Sequence, residues 1–305
     1  MEGPGAGRAE PRHVSDGLSS GKGHRDENFP VASHLISARH RGPVMAFYAV
    51  ARMADDIADH PSASADDKLA RLAEIEASLT GAGQTVREAV RLRDVMAERG
   101  LSSRHILDLL EAFRRDARQA RYADWSALMD YCRYSAAPVG RYVLDVHGED
   151  RATWPASDAL CAALQVINHL QDCGEDYRRL DRVYIPLDAL AGAGAEVGEL
   201  AAREATPALR GVIAGLAVRT SGLLAFSRPL ASQVRSARLA LEIGVIQRLA
   251  EDLAGRLAKR DPLSEKVHHK PQEALGLAAA GAAGVLLSRL GGSAKTHSGA
   301  IGGVT

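Results

Sequence analysis

The sequence predicts a single all-α domain over about residues 28 to 262. Apolar residues recur with a helical period from residue 30 to residue 260. No stretch combines alternating apolar and polar residues with the β-branched enrichment of strands, and there is no internal repeat. The 305 residues also suffice to bury one large core.

The first half of this domain divides into four helical segments. We expect the first to end before Pro61 and the third to end at Gly100. The fourth begins at Ser103, whose hydroxyl is suited to cap a helix. In order, the segments are "LISARHRGPVMAFYAVARMADDIAD", "DDKLARLAEIEASL", "TVREAVRLRDVMAERG" and "SRHILDLLEAFRRDARQ".

The second half contains four further segments. Pro138 and Gly140 interrupt the first of them, so we expect a kink there. The second is the longest unbroken helical pattern in the chain, and a loop containing Pro186 separates it from the last two. The segments are "DWSALMDYCRYSAAPVGRYVLDVHG", "SDALCAALQVINHLQDCGEDYRRL", "PALRGVIAGLAVRTSGLLAF" and "RLALEIGVIQRLAEDLAGRLAKR".

The two ends of the chain differ from the domain in composition. Residues 1 to 27 are rich in Gly, Ser, Arg and Asp and lack an apolar run, which predicts a disordered leader rather than a signal peptide. Residues 263 to 305 are predicted to form a tail with a short apolar helix at 274 to 287. No stretch approaches the roughly 20 apolar residues of a membrane span. We expect this helix to pack on the protein, to form part of a loose tail, or to lie on a membrane surface.

Charge and cysteine content exclude several classes of protein. Lys plus Arg equals Asp plus Glu at 38 each, so there is no overall basic signal for nucleic-acid binding. The three cysteines, Cys132, Cys161 and Cys173, have no paired spacing. Such a sparse, odd set is typical of a reducing cytoplasm and argues against a disulfide framework or a zinc site.

Two pairs of aspartates stand on otherwise apolar helices. Asn168, Asp172 and Asp176 recur every four residues, and so do Asp55 and Asp59. Residues four apart on a helix lie one above the other, with about 5–6 Å between their Cβ atoms. Two carboxylates so placed repel each other, and more strongly when they are removed from water. Each pair is therefore either a solvated strip or a site that holds a cation.

Two such helices facing each other would form a cage of four carboxylates. Tyr48 and Arg52 share the stripe of Asp55 and Asp59. Mg²⁺ prefers oxygen ligands and usually binds through a few carboxylates, several waters and the phosphate oxygens of a substrate. The spacing therefore predicts a metal-assisted diphosphate site.

Three other interpretations of the aspartates are considered. They could be two unrelated acidic faces, or belong to a helical interaction module without catalytic activity. A di-iron site would need a Glu from each of two helices and two Glu-x-x-His motifs. Only Glu265 to His268 fits such a motif, and it follows Pro262, outside the predicted bundle.

Four motifs in order resemble those of the squalene and phytoene synthase family. "ARMADDIAD" and "NHLQDCGED" resemble its two aspartate-rich motifs, "YCRYSAAPVG" the Tyr-Cys segment between them, and "RVYIP" the flap after the second. The resemblance covers about residues 28 to 260. Within the family, the chain most resembles the bacterial hydroxysqualene synthases of the hopanoid pathway.

The resemblance implies an isoprenoid-synthase helical bundle around a central cavity, an isoprenoid diphosphate substrate and Mg²⁺. The implied metal ligands are Asp55, Asp59, Asn168, Asp172 and Asp176. The implied diphosphate-binding residues are Arg41, Arg52, Arg182 and Asn28, and the catalytic residues lining the cavity are Tyr48 and Tyr131.

Two departures from the family pattern bear on the reaction. The family usually has Ser-x-Ser-Phe near its start, where this chain has "DENF", residues 26 to 29. Gln171 stands where squalene synthases often have Arg, and its neutral amide is suited to position a water. Both changes favour conversion of presqualene diphosphate and water to hydroxysqualene and diphosphate, without NADPH. The alternative is head-to-head condensation of farnesyl or geranylgeranyl diphosphate to squalene, presqualene diphosphate or phytoene.

The expected location follows from the substrate and from the chain ends. We expect a cytoplasmic enzyme that contacts the inner face of the bacterial membrane peripherally, since a thirty-carbon substrate and its product both partition into bilayers. The product would pass to other enzymes of the hopanoid pathway.

Overall fold

The computed structural model describes the backbone of residues 37–297 and the side chains up to Leu290. Within this range the protein is built of α-helices and short 3₁₀ turns, and its only β-type pairing is an isolated bridge between Arg121 and Val183. The prediction of an all-α fold is therefore confirmed. The predicted leader and Asn28 lie outside the described residues.

The first six helices form the N-terminal part of the bundle. Gly100 ends the third of them with φ of 63°, as its position predicts. Ser103 precedes the fourth but makes no capping hydrogen bond; the Ser102 hydroxyl accepts the Arg104 N–H instead. The helices are α1 Ala38–Ala58, α2 Ala65–Thr80, α3 Arg87–Arg99, α4 Arg104–Arg118, α5 Trp125–Ser135 and α6 Ala137–His147.

Seven more helices complete the described chain. The last is the longest, and the apolar segment predicted as a short helix at 274 to 287 forms its middle part. The helices are α7 Trp154–Gln171, α8 Cys173–Leu180, α9 Leu187–Ala193, α10 Pro207–Ser227, α11 Leu230–Gln233, α12 Ala237–Leu257 and α13 Pro271–His297.

Two helix breaks shape the bundle. The kink predicted near Pro138 is a full break at Ala136, between α5 and α6. The segment predicted as unbroken around Asp172 is also divided, because α7 ends at Gln171 and α8 begins at Cys173. Hydrogen bonds from the Asp172 N–H to the Asn168 carbonyl (2.9 Å) and from the Asp176 N–H to the Asp172 carbonyl (2.8 Å) cross this second break. The predicted stacking of the three polar residues therefore survives it.

The apolar side chains form two buried cores. One joins α1, α2, α3 and α4 and takes Tyr142 and Val146 from α6. The other is built largely by α5, α7, α10 and α12, with the segments around α9 and α11. Helix α1 packs against α2, α3, α4 and α6, whereas α7 packs against α5, α6, α10 and α12. The two aspartate-rich motifs therefore belong to different packing units.

Among the described residues, two helical stretches are long and apolar enough to span a membrane by length and composition. From the sequence we expected no stretch of this kind. Residues Pro207–Gln233 have a mean hydropathy of 1.4, but this stretch includes α10, which contributes to the second core. Residues Pro271–Leu290 have a mean hydropathy of 1.3, with only 6% of the window buried. The second stretch is therefore the more unusual, because its apolar surface is mostly exposed.

Candidate active site

The first aspartate-rich motif lies on the last two turns of α1. Arg52 donates a hydrogen bond to Asp55 Oδ2 (3.0 Å) and another to Asp56 Oδ1 (2.8 Å). All three side chains are half-buried. One guanidinium thus holds two neighbouring carboxylates close together, which offsets their mutual repulsion.

Asp59 ends α1 and is joined to the segment that follows α8. Buried Arg182 donates to Asp59 Oδ1 (2.5 Å) and to the Ala58 carbonyl (2.8 Å). Burial alone would lower the pKa of Arg182, but Tyr184, Asp116 and Asp59 raise it above its usual value, so the group is a cation. Arg182 therefore connects the C-terminal end of α1 to the second motif.

The predicted flap, residues 182 to 186, is held in place by backbone hydrogen bonds. The Val183 N–H donates to the Ala120 carbonyl (2.8 Å), and the Leu187 N–H donates to the Tyr122 carbonyl (3.0 Å). These bonds fix the positions from which Arg182 and Tyr184 reach the site.

The second motif presents Asn168, Asp172 and Asp176 at the junction of α7 and α8. All three side chains are half-buried. With Asp55 and Asp59 they supply oxygen donors only, the set that suits Mg²⁺. In residues 37–290, however, no three His, Cys, Asp or Glu side chains lie close enough together to hold an ion by themselves. Any ion bound here would need further ligands, such as water and substrate oxygens.

Asp116 of α4 is a buried acid between two buried tyrosines. The Tyr131 hydroxyl donates to Asp116 Oδ2 (2.8 Å), and the Tyr184 hydroxyl donates to Asp116 Oδ1 (3.0 Å). Burial raises the pKa of Asp116 to about 6, although the charge of Arg182 and the two hydrogen bonds oppose the shift. Burial and the charge of Asp116 raise the pKa of both tyrosines well above the usual value. Near neutral pH the group is therefore a carboxylate held by two phenol donors.

Other aromatic rings surround this carboxylate. His169 stacks on Tyr184 with ring centroids 3.5 Å apart, and Tyr122 stacks on the same ring at 5.5 Å. Burial and the charge of Arg182 lower the pKa of His169 to about 3, so the imidazole is neutral. The rings of Tyr122 and Tyr131 lie 5.1 Å apart. The result is an electron-rich wall, which suits a positively charged group.

The structure does not bring every predicted residue to this site. Arg41 is exposed on the first turn of α1, fourteen residues before Asp55, which is about 21 Å along the helix. Its predicted contact with the same diphosphate is therefore not supported. Gln171 is buried and its amide N–H donates to the Val267 carbonyl, so it anchors the segment after α12. Tyr48 lies two turns before Asp55 on the same face of α1.

Several residues near the site were missed in the sequence. Asp116 occurs in the charged run "RRDAR", which suggests a solvated surface, yet it lies seven residues after buried Leu109 on the same helix face. This spacing of seven residues from a buried leucine was the available indication in the sequence. Asp56 directly follows Asp55, so the four-residue spacing gives no indication of it. Lys68 of α2 gave no signal; burial and the charge of Arg182 lower its pKa below the usual value, although the charges of Asp59 and Asp116 oppose the shift.

Two other features lie away from the motifs. A cavity of about 550 Å³ opens at the N-terminal ends of α4 and α7, lined by Ser102, Arg104, His105, Arg141, Asp145, Arg151 and Trp154. It belongs to the end of α4 opposite Asp116. Glu265, part of the potential iron motif, pairs with Arg260 at 2.6 Å.

Together, the residues of the two motifs, the flap and the surroundings of Asp116 combine oxygen donors for a cation, arginines for an anion and a buried aromatic wall. The bound cation and the arginines can neutralise a leaving group with several negative charges. The aromatic wall can stabilise a carbocation formed beside that leaving group.

The chain is similar to several known proteins. A family model described as squalene/phytoene synthase matches residues 23–273. Hydroxysqualene synthase of Rhodopseudomonas palustris is 57% identical over 84% of this chain and 88% of that protein. The enzyme of the same name from Zymomonas mobilis is 55% identical over 89% and 92%. The crystal structure of squalene synthase HpnC from Alicyclobacillus acidocaldarius superposes with a TM-score of 0.67 at 34% identity, over 77% of this chain and 89% of that one. The chain belongs to the squalene/phytoene synthase family.

Proposed function

We propose that the protein converts presqualene diphosphate and water to hydroxysqualene and diphosphate. The observation that carries this proposal is the identity of more than half of the aligned residues with two hydroxysqualene synthases, over most of all three chains. The site adds chemical support, because carboxylates, arginines and a buried aromatic wall meet there.

The metal in this proposal is Mg²⁺, held by Asp55, Asp59, Asn168, Asp172 and Asp176. The donors are all oxygens, and their half-buried positions leave room for water and substrate ligands. When bound, Mg²⁺ neutralises charge that develops on the departing diphosphate. Arg52 and Arg182 now pair with Asp55 and Asp59. If those carboxylates held the ion, the two guanidinium groups would be placed to bind the diphosphate oxygens.

The aromatic wall stabilises the carbocation that the reaction forms. The carbon–oxygen bond to diphosphate breaks with both electrons on oxygen and leaves a cation. Tyr131 and Tyr48 line its position, and the negative charge of Asp116 behind Tyr131 makes that ring a better partner for positive charge. The water oxygen then bonds to carbon and one proton leaves. Asp116 accepts that proton through the Tyr131 hydroxyl, so Tyr131 is regenerated.

The competing reaction is head-to-head condensation, which holds two diphosphates at once. At the two motifs Arg52, Arg179 and Arg182 are each already paired with an acid, which reduces the positive charge left for a second diphosphate. Because water supplies the final bond, the proposed reaction needs no hydride from NADPH.

The proposed setting is the cytoplasm, with peripheral contact to the membrane that dissolves the substrate and the product. The alcohol product would be passed to the enzyme of the hopanoid pathway that consumes it.

The direct test compares substrates. Purified protein is incubated with presqualene diphosphate or with farnesyl diphosphate, each with and without NADPH, in Mg²⁺ or in a chelator. We expect a thirty-carbon alcohol from presqualene diphosphate in Mg²⁺ with or without NADPH. Consumption of farnesyl diphosphate, or squalene formed only with NADPH, would refute the proposal.

A further inference from the structure

The outward side of α13 is an exposed surface without a polar side chain. From residue 275 to residue 287, each exposed residue is Leu, Ala or Gly. An apolar surface gathered on one helix marks a contact site for a partner or a membrane more often than single scattered apolar residues do. We call it the α13 face; it consists of Leu275, Gly276, Ala279, Ala280, Ala283, Gly284, Leu286 and Leu287, and beyond the exposed Ser288 it continues to Leu290.

The leucines of the α13 face protrude strongly. Leu275 is 72% exposed, Leu287 70% and Leu290 71%, and Leu286 is 52% exposed. Three of them lie within the five residues 286 to 290. The most apolar part of the face is therefore near its C-terminal end.

Helix α13 is held against α12, so this face cannot turn inward. At the crossing, a Cβ on Gly281 would come within 2.5 Å of the Gly244 carbonyl oxygen, and Val285 is buried beside Gly244. Near its N-terminal end Glu273 pairs with Arg256 at 2.9 Å. Near its other end Arg289 donates to the Val234 carbonyl at 2.5 Å. Contacts at the middle and towards both ends therefore determine which side faces outward.

Positive charge adjoins the apolar face where α13 begins. Residues 252 to 273 contain five basic and four acidic side chains, and Arg256 and Arg260 pair with acids of this set. Lys266 and Lys270 of this set are exposed. Lysines next to an apolar surface complement the anionic headgroups of a bilayer.

We propose that the α13 face docks on an anionic lipid bilayer, with α13 lying parallel to the membrane plane. Its contacts with α12 and with Val234, which follows α11, argue against a helix that leaves the protein to span the membrane. From Leu275 to Leu287 the face is about 20 Å long and about 10 Å wide, or about 200 Å². A stable protein dimer buries about 800 Å² on each partner, whereas a bilayer requires no matching surface.

This inference does not depend on the proposed reaction, because it follows from the surface of α13 alone. The two can therefore fail separately. Turnover of detergent-dispersed presqualene diphosphate tests the reaction, and vesicle binding tests the surface.

The experiment measures flotation of the full-length protein with vesicles. One set contains phosphatidylcholine and phosphatidylglycerol, and the other contains phosphatidylcholine alone. We expect the wild type to float with the anionic vesicles and to bind neutral ones at least tenfold less. The double variant L286E/L287E should bind anionic vesicles at least tenfold more weakly than the wild type, with unchanged melting temperature and unchanged turnover in detergent.

The control is V218E, which places a single negative charge at an apolar residue of α10 that is 63% exposed. It should float like the wild type. The variant K266Q/K270Q tests the charged rim. Each lysine near an anionic surface contributes about 1 kcal/mol, so its loss should weaken binding about fivefold per lysine.

Three results would overturn the inference. L286E/L287E floating like the wild type would show that the α13 face does not meet lipid. A loss of binding in V218E equal to that in L286E/L287E would place the contact elsewhere or make it nonspecific. A wild-type dimer that L286E/L287E converts to a monomer in sedimentation velocity would assign the face to a second copy of the chain.

Discussion

Replacing Asp116 with asparagine tests the buried acid at the centre of the site. The carboxylate accepts hydrogen bonds from Tyr131 at 2.8 Å and from Tyr184 at 3.0 Å. An asparagine amide keeps one acceptor oxygen but turns an N–H towards the other hydroxyl. One buried tyrosine hydroxyl then lacks an acceptor, which costs about 1–3 kcal/mol of the free energy of unfolding.

The pH dependence of this cost follows from the pKa of Asp116. Burial raises it from 3.8 to about 6, and a shift of about two units corresponds to about 3 kcal/mol. Because the folded-state pKa is the higher one, Asp116 contributes its stability below about pH 4, and that stability is lost as the pH rises through about 6. Asparagine does not titrate. The stability of D116N relative to the wild type should therefore rise by about 3 kcal/mol between about pH 4 and pH 7.

Turnover of D116N should be strongly reduced at neutral pH. Without the carboxylate, no group behind Tyr131 accepts the proton released by water, and a lost general base typically costs about 10²–10⁴-fold in rate. At neutral pH D116N should therefore lose about 1–3 kcal/mol of the free energy of unfolding and be almost inactive. In the wild type, turnover should fall below about pH 6 as Asp116 is protonated.

The assay is urea unfolding followed by circular dichroism across this pH range, with turnover measured on the same samples. Y122F is the control, since the Tyr122 hydroxyl is buried without a hydrogen-bond partner among the described residues, although its ring stacks on Tyr184. Y122F should keep both stability and turnover. A stability difference between D116N and wild type that does not change with pH would refute the raised pKa. Wild-type turnover in D116N would refute the proton-acceptor role.

Three further predictions concern the metal site, the leader and the α12–α13 contact. D172N should lower turnover by about 10²–10³-fold with an unchanged circular dichroism spectrum, because the amide loses the charge that binds Mg²⁺; wild-type turnover would contradict the metal role. Deleting residues 1–22 should leave the melting temperature within about 1 °C of the full-length value, because their composition cannot support a core; a loss of several degrees would show that they pack. G281A should lower the free energy of unfolding by about 1–3 kcal/mol, because its Cβ would meet the Gly244 backbone. G284A on the same helix meets nothing within 4 Å and should be neutral or stabilising, so equal effects of the two substitutions in urea unfolding would contradict this packing.

The helices and the two aspartate stacks could be predicted because they depend on local rules. The period of apolar residues gives the helices, and the glycine at residue 100 gives a helix end. Spacing by four residues gives the vertical alignment of Asp172 and Asp176, and it holds across the helix break. The break itself could not be predicted, since backbone hydrogen bonds continue across it and the sequence pattern is uninterrupted.

Other parts of the site depend on contacts between distant segments. The pairing of Arg182 with Asp59 joins residues 123 positions apart, and no local pattern specifies it. The acid at residue 116 follows the buried face of α4 and so had a local signal, but its partners Tyr131 and Tyr184 come from two other segments. Arg41 shows the opposite case. The rise of about 1.5 Å per residue already separates it from Asp55, so its distance from the site follows from the sequence once the helix is accepted.

The central claim is that water, rather than hydride or a second isoprenoid diphosphate, completes the reaction. It is tested most directly by incubating the protein with presqualene diphosphate and Mg²⁺ in ¹⁸O-labelled water without NADPH. The account predicts one ¹⁸O atom in a thirty-carbon alcohol, detected by mass spectrometry, and equal amounts of released diphosphate. An unlabelled product, or no product until NADPH is added, would contradict it.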